Sequence, residues 1–198
     1  STRNLLLLEH WYVIEDGPEA DVGWVEAQHA GGWVRLEPVY GYPASEGFSG
    51  ISDGWQIDAF DLSGLGSNPT LRLQFSSGDR VSYSGWFIDA MQIASGDPVP
   101  PLIVDVDEPM NTADIDGPYV VEARAFDDLT YPTLTLIWSA DGGPLNAVEM
   151  ATLGDSRFAG DISGQVSGTW VTWQIEATDG INTTSFPPDG PSRFRVSL

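Results

Sequence analysis

Six Asp-Gly pairs, at 16–17, 53–54, 116–117, 141–142, 179–180 and 189–190, cut this chain into short pieces. Asp and Gly tolerate the backbone conformations that tight turns demand, so each pair marks a reversal of direction. Between the turns, apolar and polar residues alternate with the period of a strand. Leu71-Arg72-Leu73-Gln74-Phe75 does so, and so does Leu134-Thr135-Leu136-Ile137-Trp138, with Leu134, Leu136 and Trp138 inward. Val171, Trp173, Ile175 and Ala177 make another inward row, and Phe194, Val196 and Leu198 close the chain in the same manner. No amphipathic helix of useful length can be drawn. The expected fold is all-β.

Ser95-Gly96-Asp97-Pro98-Val99-Pro100-Pro101 interrupts this pattern. Closely spaced prolines favour an extended connector over a central strand. The reading is therefore two β-sandwich domains, 1–96 and 102–198, joined by a Pro-rich linker at 97–101. Each half has a usual size for one sandwich.

Twenty-nine acids against eight basic residues give a formal charge of −21. All eight basic residues are Arg. Such a field repels nucleic acid and anionic membrane surfaces and attracts divalent cations. It fits either a merely solvated surface or one adapted to salt or calcium. With no Cys, neither a disulfide nor a thiolate metal site can form. Leu5 to Leu8 is far too short to cross a bilayer and reads as the start of a strand, so no membrane insertion is expected. The chain opens at Ser1-Thr2-Arg3 without Met, as a processed product or an excised piece of something larger would.

Two acids stand among apolar neighbours. In Gly85-Trp86-Phe87-Ile88-Asp89-Ala90-Met91-Gln92-Ile93, strict alternation puts Asp89 on one face with Phe87, Met91 and Ile93. In Trp11-Tyr12-Val13-Ile14-Glu15, the same rule puts Glu15 with Trp11 and Val13. A lone buried carboxylate is costly unless paired, protonated or bound to a cation. The pair therefore points to a cation held inside the sandwich. The competing reading has one acid at a strand end in water, or paired with Arg35 or Arg72.

The first half also carries Asp21-Val22-Gly23-Trp24-Val25-Glu26-Ala27, Gly31-Gly32-Trp33, Trp55 and Phe60-Asp61-Leu62-Ser63-Gly64 before Leu71 and the closing Gly85-Trp86-Phe87-Ile88-Asp89 strand. In this order the pieces resemble the jelly-roll domains, related to the MAM domain, that follow the protease domain of immune-inhibitor-A-type secreted metalloproteases. The resemblance spans roughly residues 5 to 94. It implies a structural calcium clamped between an acid near the first strand and an acid in the last, here Glu15 and Asp89, with Asp21 as a further ligand. Family members commonly carry a second acid after the Ile-Asp pair, where this chain has Ala90.

The second half, with Pro118-Tyr119-Val120-Val121-Glu122-Ala123, the strand ending in Trp138 before Asp141-Gly142-Gly143, and Gly168 to Asp179, looks like the immunoglobulin-like or fibronectin-type-III-like domains that trail bacterial secreted hydrolases. That resemblance implies spacing, stability or adhesion and transfers no site residue. Asn182-Thr183-Thr184 fits a glycosylation sequon, but its place after Asp179-Gly180 reads as a turn.

No motif of specific spacing marks a catalyst. His-Glu-x-x-His, Gly-x-Ser-x-Gly, a phosphate-binding loop and a dinucleotide fingerprint are all missing. His10 and His29 read as packing or surface residues. With 29 acids some carboxylate pair is inevitable, so a cryptic glycosidase is the weakest reading. Eight Trp leave room for ring-stacking ligands such as glycans. Trp11, Trp86, Trp138 and Trp173 fall in strand patterns that read as core. Trp33 and Trp55 follow Gly-Gly and Asp-Gly turns, and Trp170, three residues from Trp173, takes the opposite face, so Trp33, Trp55 and Trp170 are the candidate binding rings.

The expected function is a non-catalytic accessory region of a secreted bacterial protein, a hydrolase by resemblance, that binds or positions a partner at the cell surface or outside it. The partner would be an extracellular protein or a glycan. A structural subunit of a surface layer or filament, stacking on copies of itself, is the alternative from another class. A glycan-binding module is the third.

Overall fold

In the computed structural model, residues 3–17, 21–78 and 81–197 are described. All the regular structure among them is strand, antiparallel in every named pairing. The chain divides into two compact units between Pro98 and Val99, within the Pro-rich segment.

The first unit is built from β1 (Asn4–Val13), β2 (Val22–His29), β3 (Gly32–Arg35), β4 (Gln56–Asp61), β5 (Leu71–Ser76) and β6 (Gly85–Ser95). They form two three-stranded sheets, ordered β4-β1-β6 and β3-β2-β5. Side chains from both sheets meet in one core that includes Leu6, Leu8, Tyr12 and Ile14 from β1 and the residue just beyond it, Val25 and Ala27 from β2, and Phe48 and Phe60. Along β1 the buried positions are even-numbered from Leu6 onward, so Leu7, Glu9, Trp11 and Val13 take the other face.

That parity corrects the sequence reading of Trp11. A period of two says which residues share a face, and not which face is covered. Trp11 lies half-buried on the outer face, with its immediate neighbours His10 and Tyr12 in the core.

A second correction concerns β6. Its register against β1 slips between Glu9 and His10, with Glu9 opposite Ala90 but His10 opposite Ile88. Asp89 is the extra residue of a β-bulge. The bulge breaks the alternation: Phe87 stands opposite outward Trp11, whereas Met91 and Ile93 stand opposite buried Leu8 and Leu6. Asp89 itself is exposed, on a strand at the sheet's edge. A charge and a bulge at an exposed edge discourage pairing with other chains, so the acid is tolerated without a buried counter-ion.

The second unit contains β7 (Leu102–Asp107), β8 (Tyr119–Phe126), β9 (Thr133–Ala140), β10 (Asn146–Glu149), β11 (Ala151–Gly154), β12 (Arg157–Ile162), β13 (Trp170–Thr178), β14 (Thr183–Phe186) and β15 (Ser192–Arg195). One sheet runs β10-β9-β13-β14 with β15 also on β13, and the other runs β11-β12-β8-β7. Here the inward rows fall where alternation puts them. Leu134, Leu136 and Trp138 are buried, as are Val171, Trp173, Ile175, Ala177, Phe194 and Val196. Leu198 lies outside the described residues. Phe75, grouped with Leu71 and Leu73 in the sequence pattern, is instead exposed near the end of β5.

After β9 the chain reverses at Asp141-Gly142, both with positive φ (49° and 70°), and the Gly143 N–H donates to the Ala140 carbonyl at 2.8 Å. This is the type I′ geometry that Asp-Gly favours.

Candidate functional site

The acids expected to hold a cation do not converge as a trio. Asp89 sits level with the Glu9/His10 step of β1, five to six residues back from Glu15. At about 3.3 Å per residue that is a separation of roughly 17 Å along the strand. Residues preceding Gly85, which pairs with Val13, reach the Glu15 end instead. Among the described residues of the first unit, no three acids or histidines offer ligand atoms mutually within 4.8 Å.

Glu15 and Asp21 are brought together by their backbones. The Ser49 hydroxyl donates to the Glu15 carbonyl at 2.9 Å and lies 3.2 Å from the Asp21 carbonyl. Asp21 is buried and its Oδ1 accepts the Gly78 N–H at 2.8 Å. The Glu15 Oε2 is buried with no hydrogen-bond partner among the described residues. Neither arginine suggested by the alternative reading meets these acids: Arg72 pairs with Glu26, and Arg35 donates to the Glu46 carbonyl.

His10 is fully buried, as a packing histidine. The Trp86 indole N–H donates to its Nδ1 at 2.9 Å, and Nε2 lies 2.7 Å from Asp58 Oδ2. Indole N–H has no acceptor capacity, so Nδ1 must be the bare nitrogen and Nε2 carries the proton toward Asp58. Gln56 donates to the same Asp58 oxygen at 2.7 Å. This network fixes Trp86 against Gly23 on the opposite sheet, where a Cβ would meet the ring at 2.6 Å. Its central imidazole is fully buried and both ring nitrogens are satisfied, which suits a structural role. His29 is exposed at the end of β2.

The second unit brings Asp127 and Asp179 within 4.8 Å of one another through ligand oxygens, a proximity no motif announced. Each carboxylate mainly caps its own turn. Asp127 Oδ2 accepts from Leu129 and Thr130, and Asp179 Oδ1 accepts the Ile181 and Asn182 N–H groups. Burial opposes ionisation of Asp179, but the Asn182 backbone and side-chain donors prevail and hold its carboxyl below the usual range. Asn182 thereby belongs to the turn, as its place in the sequence suggested.

The three candidate rings separate into two kinds. Trp33 and Trp170 are each 39% exposed, yet each has a guanidinium on its face. Arg72 lies 4.0 Å from the Trp33 ring centre, and Arg193 and Arg195 lie 4.8 and 5.6 Å from that of Trp170. Trp55, 53% exposed, meets no cation among the described residues and instead joins a row of aromatics. Its ring centre is 6.4 Å from that of Trp11, which stacks on Phe87 at 5.0 Å with 24° between the planes.

The row runs over the outer face of the β4-β1-β6 sheet, from β6 across β1 to the residue just before β4. Trp11 pairs with Phe87 across β1 and β6, and Trp55 immediately precedes β4, whose Gln56 faces His10. Ile57, opposite Glu9, extends the apolar area on β4 and is also exposed. Sequence reasoning found Trp55 and missed Trp11 and Phe87. The signal was present in the buried histidine: once His10 is inward, Trp11 must be outward.

A shallow cleft of about 340 Å³ lies elsewhere in the first unit, lined by Asn4, Leu62, Asn68, Pro69, Leu71 and Ile93 among others. None of its lining residues is ionisable, so it offers no acid–base pair. No helix among the described residues is long and apolar enough to cross a membrane. No family model and no curated protein sequence matches the chain.

Proposed function

We propose that this chain is a non-catalytic accessory region of a secreted bacterial protein, and that its first unit binds or positions an extracellular partner through the outer face of the β4-β1-β6 sheet. The observation that carries the reading is the half-exposed row Trp55–Trp11–Phe87. Large rings in water cost free energy, and a fold with ample core can bury them, as this one buries Trp173 and Phe48. Aromatics clustered on an otherwise solvated sheet mark a surface made to be covered.

The test is a panel of soluble neutral and charged glycans and of acidic and basic peptides, each titrated against wild type and Trp55→Ala. A ligand bound by the wild type and lost in the variant supports the face. A panel in which every interaction is indifferent to Trp55 counts against it.

Calcium belongs to the same proposal, with its place revised. The unpartnered Glu15 Oε2 and the buried Asp21 carboxylate are oxygen ligands of the kind calcium selects, at the loop between β1 and β2. Asp89 has no part in it. A cation bound only by the folded chain raises the melting midpoint, so a chelator should lower it in the wild type and leave Glu15→Gln unchanged.

A further inference from the structure

The partner's chemistry can be read from how this molecule treats its own rings. Among the described residues, five arginines lie over aromatic faces: Arg35 on Trp24, Arg72 on Trp33, Arg124 on Phe126, and Arg193 and Arg195 on Trp170. Two of these guanidiniums are held doubly, by a ring and a carboxylate together. Arg72 stacks on Trp33 while its Nε meets Glu26 at 2.5 Å, and Arg124 stacks on Phe126 while its Nη1 meets Asp105 at 3.3 Å. The quadrupole of a ring face attracts a cation, and a nearby carboxylate fixes the cation's direction.

The open row has acids close to its rings in the chain and no described arginine over them. Each of its rings has an acid two positions away in the chain: Asp53 before Trp55, Glu9 before Trp11, and Asp89 after Phe87. Two positions along a strand share a face, which holds for Glu9 and Trp11 within β1. Asp53 and Asp89 are exposed. None of the three is ion-paired to a described residue.

We infer that the outer face of the β4-β1-β6 sheet receives a basic, arginine-bearing segment of a protein partner, whose guanidiniums stack on Trp55, Trp11 and Phe87 between the carboxylates of Asp53, Glu9 and Asp89. This rests on the face being a binding surface, as proposed above, and adds the chemistry of what covers it. The choice of a cation over a neutral sugar follows from charge. The chain carries a formal −21, and each ring has an acid two positions away in the chain, on the same face for Glu9 and Trp11, so charge complementarity favours a guanidinium over an uncharged sugar.

The experiment titrates the full chain with a short peptide alternating Arg and Gly, with its Lys-for-Arg counterpart, and with soluble hydroxyethyl cellulose. The variants are Trp55→Ala/Phe87→Ala on the face, Glu9→Gln/Asp53→Asn/Asp89→Asn beside it, and Glu149→Gln/Asp161→Asn/Asp189→Asn as an equal loss of charge on the other unit. Arginine stacks on rings better than lysine, so the Arg peptide should bind the wild type about fivefold more tightly than the Lys peptide. The ring variant should lose that preference at unchanged net charge. The face-acid variant should weaken binding far more than the control with the same loss of charge on the other unit.

Equal binding by wild type and ring variant, or equal weakening by the two sets of acid replacements, would reduce the interaction to diffuse electrostatics and overturn the inference. Ring-dependent binding of the cellulose derivative, with no ring-dependent binding of either peptide, would overturn the basic partner and leave the binding face standing. If no probe separates wild type from the ring variant, both fall. Each variant is first melted, so that a loss of fold is not read as a loss of binding.

Discussion

Trp170, the first residue of β13, and Trp55, just before β4, are both exposed tryptophans, and the fold treats them differently. Two arginines from β15 and its end close over Trp170. Trp55 gathers Trp11 and Phe87 beside it and takes no cation from the described part of the chain. With so few basic residues, a ring that receives two of them is being satisfied internally, and a row of three that receives none is left for something else. Exposure alone does not separate the two cases. The occupant of each ring face does.

This contrast is sharpened first by the rings that are not exposed. Trp173 is buried in the second unit's core, and Trp173→Ala should cost about 3–5 kcal/mol through lost burial and the cavity left behind. Scanning calorimetry of the full chain checks it. Gly23→Ala should cost about 1–3 kcal/mol in the first unit, because the new methyl would meet the Trp86 ring at 2.6 Å and the His10 bond anchors that ring. The same calorimetric scan tests it, and an unshifted melt would mean that the ring moves aside freely.

Alkaline pH probes the first unit from another side. Burial pushes the Tyr42 hydroxyl up to about 12, aided by Glu37 and Asp58 and opposed by the Val25 N–H and Arg35. The unfolded tyrosine titrates near 10. A raised pKa means that the folded state keeps a proton the unfolded state loses. Tyr42 therefore contributes its full stabilisation below about pH 10 and loses it as pH rises through about 12. Urea midpoints should fall across that window in wild type and fall less in Tyr42→Phe, the neutral reference, which also lacks the hydroxyl's bond to the Leu36 carbonyl.

The smallest effects distinguish the two exposed tryptophans directly. Trp170→Ala removes the ring beneath the Arg193 and Arg195 guanidiniums and should cost about 0.5–1 kcal/mol. Trp55→Ala should stay within about 0.5 kcal/mol of wild type, as a surface replacement does.

How far the sequence could be read differs between the same two regions. The alternation is unbroken in β13 and holds through Trp138 in β9, both sheets cover their inner faces, and Leu134, Leu136, Val171 and Ile175 could be placed from parity alone. The all-β class and the turns followed from the same arithmetic. In β1 and β6 parity was right about which residues share a face on β1 and silent about which face was core. One extra residue at Asp89 then reversed the sides of Phe87 and Ile93, which a strict period of two cannot represent. Glu15 and Asp89 stand five to six residues apart along β1, because register decides which acids meet across strands and a period of two carries no register. Trp55 was found because it follows an Asp-Gly turn, and its companions were hidden inside a strand that looked wholly buried.

The most direct measurement is a paired one on Trp55→Ala/Phe87→Ala: its melting midpoint, and its binding to the panel of glycans and peptides beside wild type. Rings kept at the surface for a partner require a melt within a few degrees of wild type and a loss of whatever ligand the wild type binds. A collapse of the melt like that expected for Trp173→Ala, or binding that survives intact without the two rings, would show that the row is part of the scaffold and not a face for binding.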